Sequence, residues 1–103
     1  MVKINRIDQQ FIISLGNYLC FNYTTLNEIQ PIIKDLMNIP KTEIILNFSS
    51  IQLVDSAGFS KLIELMEEAN ENGVVFSLTN LNGKVKELIS LMKLEQTLKV
   101  LDN

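Results

Sequence analysis

Short apolar runs recur along the chain and alternate with longer segments that are apolar on one side only. The short runs predict β-strands over residues 2–7, 10–15, 43–48, 74–79 and 97–101. The polar pair Asp8-Gln9 suits a tight reversal, so we expect the first two strands to form a hairpin. Residues 43–48 are mostly apolar, which is typical of a strand covered on both faces. We therefore expect this strand to be the central one.

Three longer segments carry apolar residues at spacings of three and four, which predicts helices with one buried face. The apolar positions are Leu26, Ile29, Ile33, Leu36 and Met37 in the first helix, Phe59, Leu62, Ile63, Met66 and Ala69 in the second, and Val85, Leu88, Ile89 and Met92 in the third. Asn72-Gly73 suits the left-handed C-cap of the second helix. Residues 17–23 and 49–54 are predicted to be irregular connections.

Polar residues that can accept a free backbone N–H group mark the helix starts. Thr24 or Thr25 is a candidate N-cap for the first helix, and Asn82 or its neighbour for the third. Pro31 lies inside the first helical pattern, where a proline removes a hydrogen bond and clashes with the carbonyl four residues earlier. We therefore expect that helix to be kinked at Pro31 or to begin closer to it.

The predicted order of elements is β-β-α-β-α-β-α-β. Because strands that alternate with helices are joined by crossover connections, neighbouring strands should be mainly parallel. The predicted fold class is α/β, with a central mixed, mostly parallel sheet and helices packed against it. A chain of 103 residues is long enough for one domain with its own core and too short for two, so residues 1–103 are predicted to form one domain.

Composition argues against several classes of function. The net charge of −3 comes from 9 basic and 12 acidic residues mixed along the chain, so nucleic acid is not an expected partner. No apolar run approaches the roughly 20 residues that span a bilayer, and the N-terminus lacks a signal-peptide core. We therefore expect a cytoplasmic protein without direct membrane insertion. Cys20 is the single cysteine and histidine is absent, so we expect no catalytic residue, no metal site and no cofactor.

Candidate chemistry is concentrated at the start of the second helix. Asp55-Ser56-Ala57-Gly58 falls where a strand and its loop lead into a helix N-terminus. The free N–H groups and the dipole of a helix start favour a nearby anion by about 0.3–1 kcal/mol. A phosphate on Ser56 adds about −1.5 to −2 charges beside Asp55 without necessarily unfolding the domain. Ser56 is therefore a candidate phosphorylation switch.

Two other interpretations of this segment need no switch. In the structural one, Asp55 or Ser56 only caps the helix, and Gly58 only gives it room to pack on the sheet. In the catalytic one, Ser56 is a nucleophile. However, the flanking residues do not form a Gly-x-Ser-x-Gly turn, and no histidine is present to take the proton. We therefore do not expect an enzyme.

The same segment resembles the STAS family, the domain shared by bacterial anti-sigma-factor antagonists and the cytoplasmic tails of sulfate transporters. The family pattern is an apolar strand ending in Leu-Asn, a spacer, and an Asp-Ser-(Ser or Thr)-Gly turn. Leu46-Asn47 and Asp55-Ser56-Ala57-Gly58 are similar to it. Asn72-Gly73, a strand, and a helix over residues 85–94 follow in the family's order. The resemblance covers nearly the whole chain and is strongest over residues 43–98.

The resemblance implies an anti-sigma-factor antagonist in a partner-switching pathway. In such antagonists the serine after the aspartate is phosphorylated by a serine kinase that is also the anti-sigma factor and has a histidine-kinase-like ATPase fold. Ser56 holds that position. Only the unphosphorylated form binds this partner, and a metal-dependent serine phosphatase resets the switch. The expected partner-binding residues are Asp55, Ser56, Ala57, Gly58, Phe59 and Asn22.

Two departures from the family pattern concern the docking surface. Ala57 replaces the usual second hydroxyl residue, and the loop that is often Gly-Glu-Leu-Asp is here Gly16-Asn17-Tyr18-Leu19. Asn22 or Thr24 is a candidate substitute for the missing acidic residue, although the simpler interpretation is that one of them caps the first helix.

These departures leave an alternative function open. The chain would then be a constitutive STAS scaffold in a signalling assembly, or the small cytoplasmic subunit of a lipid-transport complex, and the same face would dock without modification. Phe21 and Tyr23 are candidate interface anchors if they are exposed, and we expect at least one of them to pack in the core.

Overall fold

The computed structural model describes residues 2–101, and Met1, Asp102 and Asn103 of the predicted domain lie outside the described residues. In chain order the elements are β1 (Lys3–Ile7), β2 (Gln10–Ser14), β3 (Cys20–Phe21), α1 (Tyr23–Leu36), β4 (Glu43–Asn47), β5 (Leu53–Val54), α2 (Ser56–Glu71), β6 (Val75–Thr79) and α3 (Gly83–Leu91). Among the described residues, no helix has the length and apolar character needed to cross a bilayer.

Four strands form the main sheet in the order β1-β2-β4-β6, and β3 and β5 form a separate small sheet. β1 and β2 are antiparallel, as the predicted hairpin requires, and the β2–β4, β4–β6 and β3–β5 pairs are parallel. β4 lies between β2 and β6, which confirms it as a central strand. The predicted class, α/β with a mixed and mostly parallel sheet, is confirmed.

One face of the main sheet packs into a buried cluster with the helices. Two rows of buried side chains cross the sheet in register: Phe11, Ile44 and Phe76, and Ile13, Leu46 and Leu78. All of them except Phe11 belong to this cluster. Helix α1 adds Ile29 and Ile33 to the same cluster, and α2 adds Leu62 and Ala69. Since each of these four side chains is fully buried, the core holds α1 and α2 firmly at fixed positions against the sheet.

The helix ends follow the sequence with one correction. Asn82 caps α3, and Gly73 at φ +70° follows the Asn72 C-cap of α2, as predicted. Helix α1 begins at Tyr23 and continues through Pro31, so the expectation of a later start is wrong.

The helix tolerates Pro31 because of where it lies. Pro31 and Asn27 are both exposed. The carbonyl of Asn27, which loses its helical donor at Pro31, can therefore bond to water.

Three boundaries differ from the prediction. The connections predicted to be irregular contain β3 and β5, each of two residues. The predicted strand over residues 97–101 is wrong, because the amides of Thr97 and Leu98 both donate to the carbonyl of Leu94 and form a turn. Only a bridge between Leu78 and Val100 remains. Helix α3 ends at Leu91, earlier than the family pattern implied.

Candidate partner-docking site

The small sheet of β3 and β5 brings two helix starts together. Cys20 pairs with Leu53 and Phe21 with Val54, in parallel. Each strand is followed at once by a capping residue, Asn22 before α1 and Asp55 before α2. Because parallel strands lie about 4.8 Å apart, the two caps start neighbouring helices at one edge of the molecule. The sequence alone predicted neither strand, so it did not show that Asn22 and Asp55 are neighbours.

Asp55 is the N-cap of α2. Its backbone is extended, with φ −84° and ψ 174°, and its Oδ1 accepts the backbone N–H of Gly58 at 2.7 Å. The carboxylate therefore satisfies one of the free amides of the first turn and places a negative charge at the positive end of the helix. Of the two capping candidates in this segment, Asp55 is the one that caps.

Ser56 is the first residue of α2 and is exposed. Its hydroxyl makes no hydrogen bond to any group within residues 2–101. Ala57 beside it is also exposed. The fold therefore presents an unengaged hydroxyl at a helix N-terminus, next to a methyl group and a capping carboxylate.

Gly58 and Phe59 lie beneath this surface. A Cβ atom on Gly58 would stand 2.4 Å from the carbonyl oxygen of Phe21 and 3.1 Å from the Val54 side chain. Only glycine lets the first turn of α2 approach the end of β3 so closely. The side chain of Phe59 is 3% exposed and belongs to the core. Of the five residues at positions 55–59, only the first three thus present side chains to a partner.

Asn22 forms the matching start of α1. Its Oδ1 accepts the backbone N–H groups of Thr24 at 3.0 Å and Thr25 at 3.3 Å. The hydroxyl of Thr25 is buried and donates to the carbonyl of Cys20 at 2.6 Å. Asn22 is therefore the cap, and Thr25 ties the helix to β3.

The two aromatic residues beside Asn22 have opposite environments. Phe21 is fully buried and stacks on Phe48, with ring centroids 5.1 Å apart. Tyr23 is 71% exposed. The expectation that at least one of them packs in the core is confirmed, and Tyr23 remains available to a partner.

The loop of residues 16–19 is anchored to α1. The Tyr18 hydroxyl donates a hydrogen bond to a carboxylate oxygen of Glu28. This bond raises the pKa of the Tyr18 phenol, with further contributions from burial and from the Glu28 charge. Leu19 follows, 60% exposed, and its carbonyl accepts the amides of Gln52 and Leu53. The loop is therefore a fixed part of the surface beside β5.

Residues 2–101 contain no group of three or more His, Cys, Asp or Glu side chains placed to hold a metal ion. Cys20 is half-buried and its thiol is free. The described surface around Ser56 offers hydrogen-bonding and apolar groups, which are suited to contact with a protein.

These features define a small α/β domain that presents two capped helix starts, one of them carrying an exposed serine, on a single surface. The chain belongs to the STAS family, because residues 2–103 match the STAS domain.

Solved structures share this fold at low sequence identity. A candidate anti-sigma factor antagonist from Thermotoga maritima is 19% identical, with a TM-score of 0.82, over 99% of this chain and 86% of that one. The unphosphorylated anti-sigma factor antagonist SpoIIAA of Bacillus is 18% identical, with a TM-score of 0.77, over 100% and 88%. The murine anion transporter Slc26a9 is 24% identical, with a TM-score of 0.74, over 96% of this chain and 17% of the transporter. At these identities the likeness establishes the fold.

Proposed function

We propose that this chain is an anti-sigma-factor antagonist that binds a serine-kinase anti-sigma factor through the surface around Ser56 and is released when Ser56 is phosphorylated. The observation that carries this proposal is that different residues cap α2 and present the exposed hydroxyl. Asp55 caps the helix, which leaves the exposed Ser56 hydroxyl free of any role in the fold. A residue that the fold does not need can be modified without loss of the domain.

The switch acts through charge and bulk at one atom. The kinase transfers the γ-phosphoryl group of ATP to Ser56 Oγ, so that a P–O bond to the serine forms, the bond to the leaving ADP breaks, and the hydroxyl proton is released. The phosphate adds about −1.5 to −2 charges next to Asp55. A partner surface that packs against a neutral hydroxyl must then desolvate a dianion or separate from it. A metal-dependent serine phosphatase restores the hydroxyl by hydrolysis.

A structural neighbour supports the idea that this fold persists when phosphorylated. SpoIIAA of Bacillus has been solved in its phosphorylated form, which covers 100% of this chain with a TM-score of 0.73 at 16% identity. The phosphorylated and unphosphorylated forms of that protein both match the present fold.

The likeness to a region of Slc26a9 favours a second candidate function. In it the chain is a constitutive scaffold or the small cytoplasmic subunit of a signalling or lipid-transport complex. The Ser56 surface would then bind its partner permanently, and Ala57 in place of a hydroxyl residue is compatible with that use.

The proposal is tested by incubating the protein with ATP and the candidate histidine-kinase-like ATPase from the same genome. Intact-mass and peptide mass spectrometry then locate any phosphate. Ser56→Ala removes the proposed acceptor, and Ser60→Ala is the matched control, because Ser60 is an exposed serine one turn further along α2. The affinity of the kinase for each form is measured in parallel by calorimetry.

We expect one phosphate, on Ser56, in the wild type and in Ser60→Ala, and none in Ser56→Ala. We also expect the phosphorylated protein to bind the kinase at least tenfold more weakly. Tight binding without phosphorylation would support the constitutive subunit instead. Phosphate on Ser60, or equal affinity of both forms, would contradict the switch.

A further inference from the structure

Leu53 and helix α3 form the walls of an exposed apolar groove beside the Ser56 surface. Leu53, the first residue of β5, is 57% exposed. Facing it along α3 are Lys84, Glu87, Leu88 and Leu91. Their spacing of three and four places them on one stripe of the helix. The core-facing side of α3 is formed by Val85 and Ile89, and Leu88 packs partly against the same core. The outer part of the stripe, Lys84, Glu87 and Leu91, is exposed.

The outer part of the groove is apolar. Leu91 is 71% exposed, and Leu88 at its base is half-buried. Lys84 and Glu87 are both exposed on the same wall and have opposite charges. The groove therefore selects an occupant by apolar contact more than by charge.

This groove is continuous with the Ser56 surface. Leu53 precedes Ser56 by three residues, and successive Cα atoms are 3.8 Å apart, so their Cα atoms lie within about 11 Å. Leu19, 60% exposed, lies against β5 on the other side, where its carbonyl accepts the amide of Leu53. Leu53 therefore lies between the residues around Ser56, Leu19 and the exposed side of α3, so that these residues form one continuous surface.

The size of a stable interface requires the contact to extend beyond Ser56. A specific protein interface buries about 800 Å² on each partner, or about 20 residues a side. Asp55, Ser56, Ala57 and Tyr23 supply only a fraction of that area. Apart from Pro31, the exposed residues further along α1 are polar: Thr24, Asn27, Lys34 and Asp35. On the α3 side, exposed polar residues are joined by two large exposed apolar ones, Leu53 and Leu91, and the centres of protein interfaces are more apolar and poorer in charged residues than the rim.

We propose that the partner which binds at Ser56 also covers this groove and inserts an apolar side chain between Leu53 and Leu91. This inference rests on the proposed function and adds a second contact region to the docking site. The partner is the kinase itself, and its complementary surface is a folded domain with an exposed apolar side chain. The groove would supply affinity that does not depend on phosphate, and Ser56 would supply the switch.

The test measures affinity of the candidate histidine-kinase-like ATPase for four forms of the full chain. They are the wild type, the double variant Leu53→Ala/Leu91→Ala, the matched control Ile7→Ala, and Ser56→Glu. Ile7 is 62% exposed on β1, at the far edge of the main sheet, so its truncation removes a similar exposed apolar group elsewhere. Circular dichroism and thermal unfolding verify that each variant is folded.

We expect the double variant to bind at least tenfold more weakly and Ile7→Ala to bind within twofold of the wild type. In the wild-type protein, the methyl resonances of Leu53, Leu88 and Leu91 should shift when unlabelled kinase is added. This second measurement involves no substitution, so it holds even if the double variant is unstable.

The outcomes distinguish a failure of the groove inference from a failure of the proposed phosphorylation switch. If Ser56→Glu weakens binding but the double variant and the methyl resonances do not change, the groove inference is wrong and the proposed function stands. If Ser56→Glu binds as tightly as the wild type, the proposed function is wrong. If the double variant loses self-association and keeps its affinity for the kinase, the groove is an interface between copies of this chain, and the inference is overturned.

Discussion

At the scale of single residues, neighbouring positions at the start of α2 have separate tasks. Asp55 accepts the Gly58 amide, Gly58 allows close packing on Phe21, and Phe59 anchors the turn in the core. Ser56 and Ala57 do none of these things and face outward. Modification at Ser56 can therefore change the surface while the residues around it keep the turn in place.

Gly58 gives the most direct test of this packing. We expect Gly58→Ala to lower the free energy of unfolding by about 1–3 kcal/mol, because its Cβ would stand 2.4 Å from a backbone oxygen that cannot move independently. The gain of up to about 1 kcal/mol in helix propensity offsets only part of this cost. Urea unfolding followed by circular dichroism measures the difference.

Gly83→Ala is the control for this substitution. Gly83 also lies in the first turn of its helix, α3, but a Cβ there meets no atom within 4 Å. We expect this variant to be as stable as the wild type or slightly more stable. Equal stability of the Gly58 and Gly83 variants would show that the close approach of α2 to β3 does not constrain position 58.

At the scale of elements, hydrophobic periodicity predicted the three helices and the four strands of the main sheet. These elements are long enough to show a repeat of two or of three to four residues. β3 and β5 have two residues each, so no repeat can mark them. They are defined by pairing between positions more than 30 residues apart in the chain, which the local pattern does not contain.

The choices that the sequence left open in the candidate site have the same origin. Local sequence identified the Asp55-Ser56 turn, but it left the cap of α1 open between Asn22 and two threonines. The choice depends on the end of β3, because Thr25 uses its hydroxyl to bond to Cys20 and leaves the cap to Asn22. The exposure of Leu53 likewise follows from tertiary packing, whereas the burial of Phe59 agrees with its place on the apolar face of the second helix.

The hydrogen bond from Tyr18, in the loop of residues 16–19, to Glu28 in α1 can be tested by titration. Tyr18 is one of two tyrosines, so the variant Tyr23→Phe leaves it as the only one. We expect its phenol to titrate above the usual value of about 10, because the hydrogen bond to Glu28 favours the neutral form. Adding Glu28→Ala should lower the midpoint toward that value. The ultraviolet absorbance of tyrosinate measures both.

The raised pKa of Tyr18 also makes the free energy of unfolding depend on pH. Because the folded state holds the Tyr18 proton more tightly than the unfolded chain, the contribution of this group is present below about pH 10 and is lost as the pH rises through the folded-state pKa. Glu67→Ala, which removes an exposed carboxylate on α2, should leave the midpoint of Tyr18 unchanged. An unchanged midpoint in Glu28→Ala would mean that Glu28 does not hold the loop.

At the scale of the whole molecule, the proposed switch requires a fold that does not respond to the phosphate. The core extends through both rows of the main sheet and both long helices, and Ser56 lies at its outer edge. In the proposed switch the phosphate would therefore change the partner-binding surface at one point, while the rest of the proposed docking site, including the groove of α3, would stay in place. Release then results from an unfavourable local contact, with no need for a conformational change.

We expect phosphorylation of Ser56 to change the free energy of unfolding by no more than about 1 kcal/mol. The positive end of α2 stabilises the phosphate by about 0.3–1 kcal/mol, and repulsion from Asp55 opposes this by an amount of about 1 kcal/mol in water. Urea unfolding of the enzymatically phosphorylated protein, with Ser56→Ala treated identically as the control, measures the net effect. A loss of more than about 3 kcal/mol would mean that the phosphate opens the start of α2, and release of the partner would then follow from local unfolding instead of from repulsion at an intact surface.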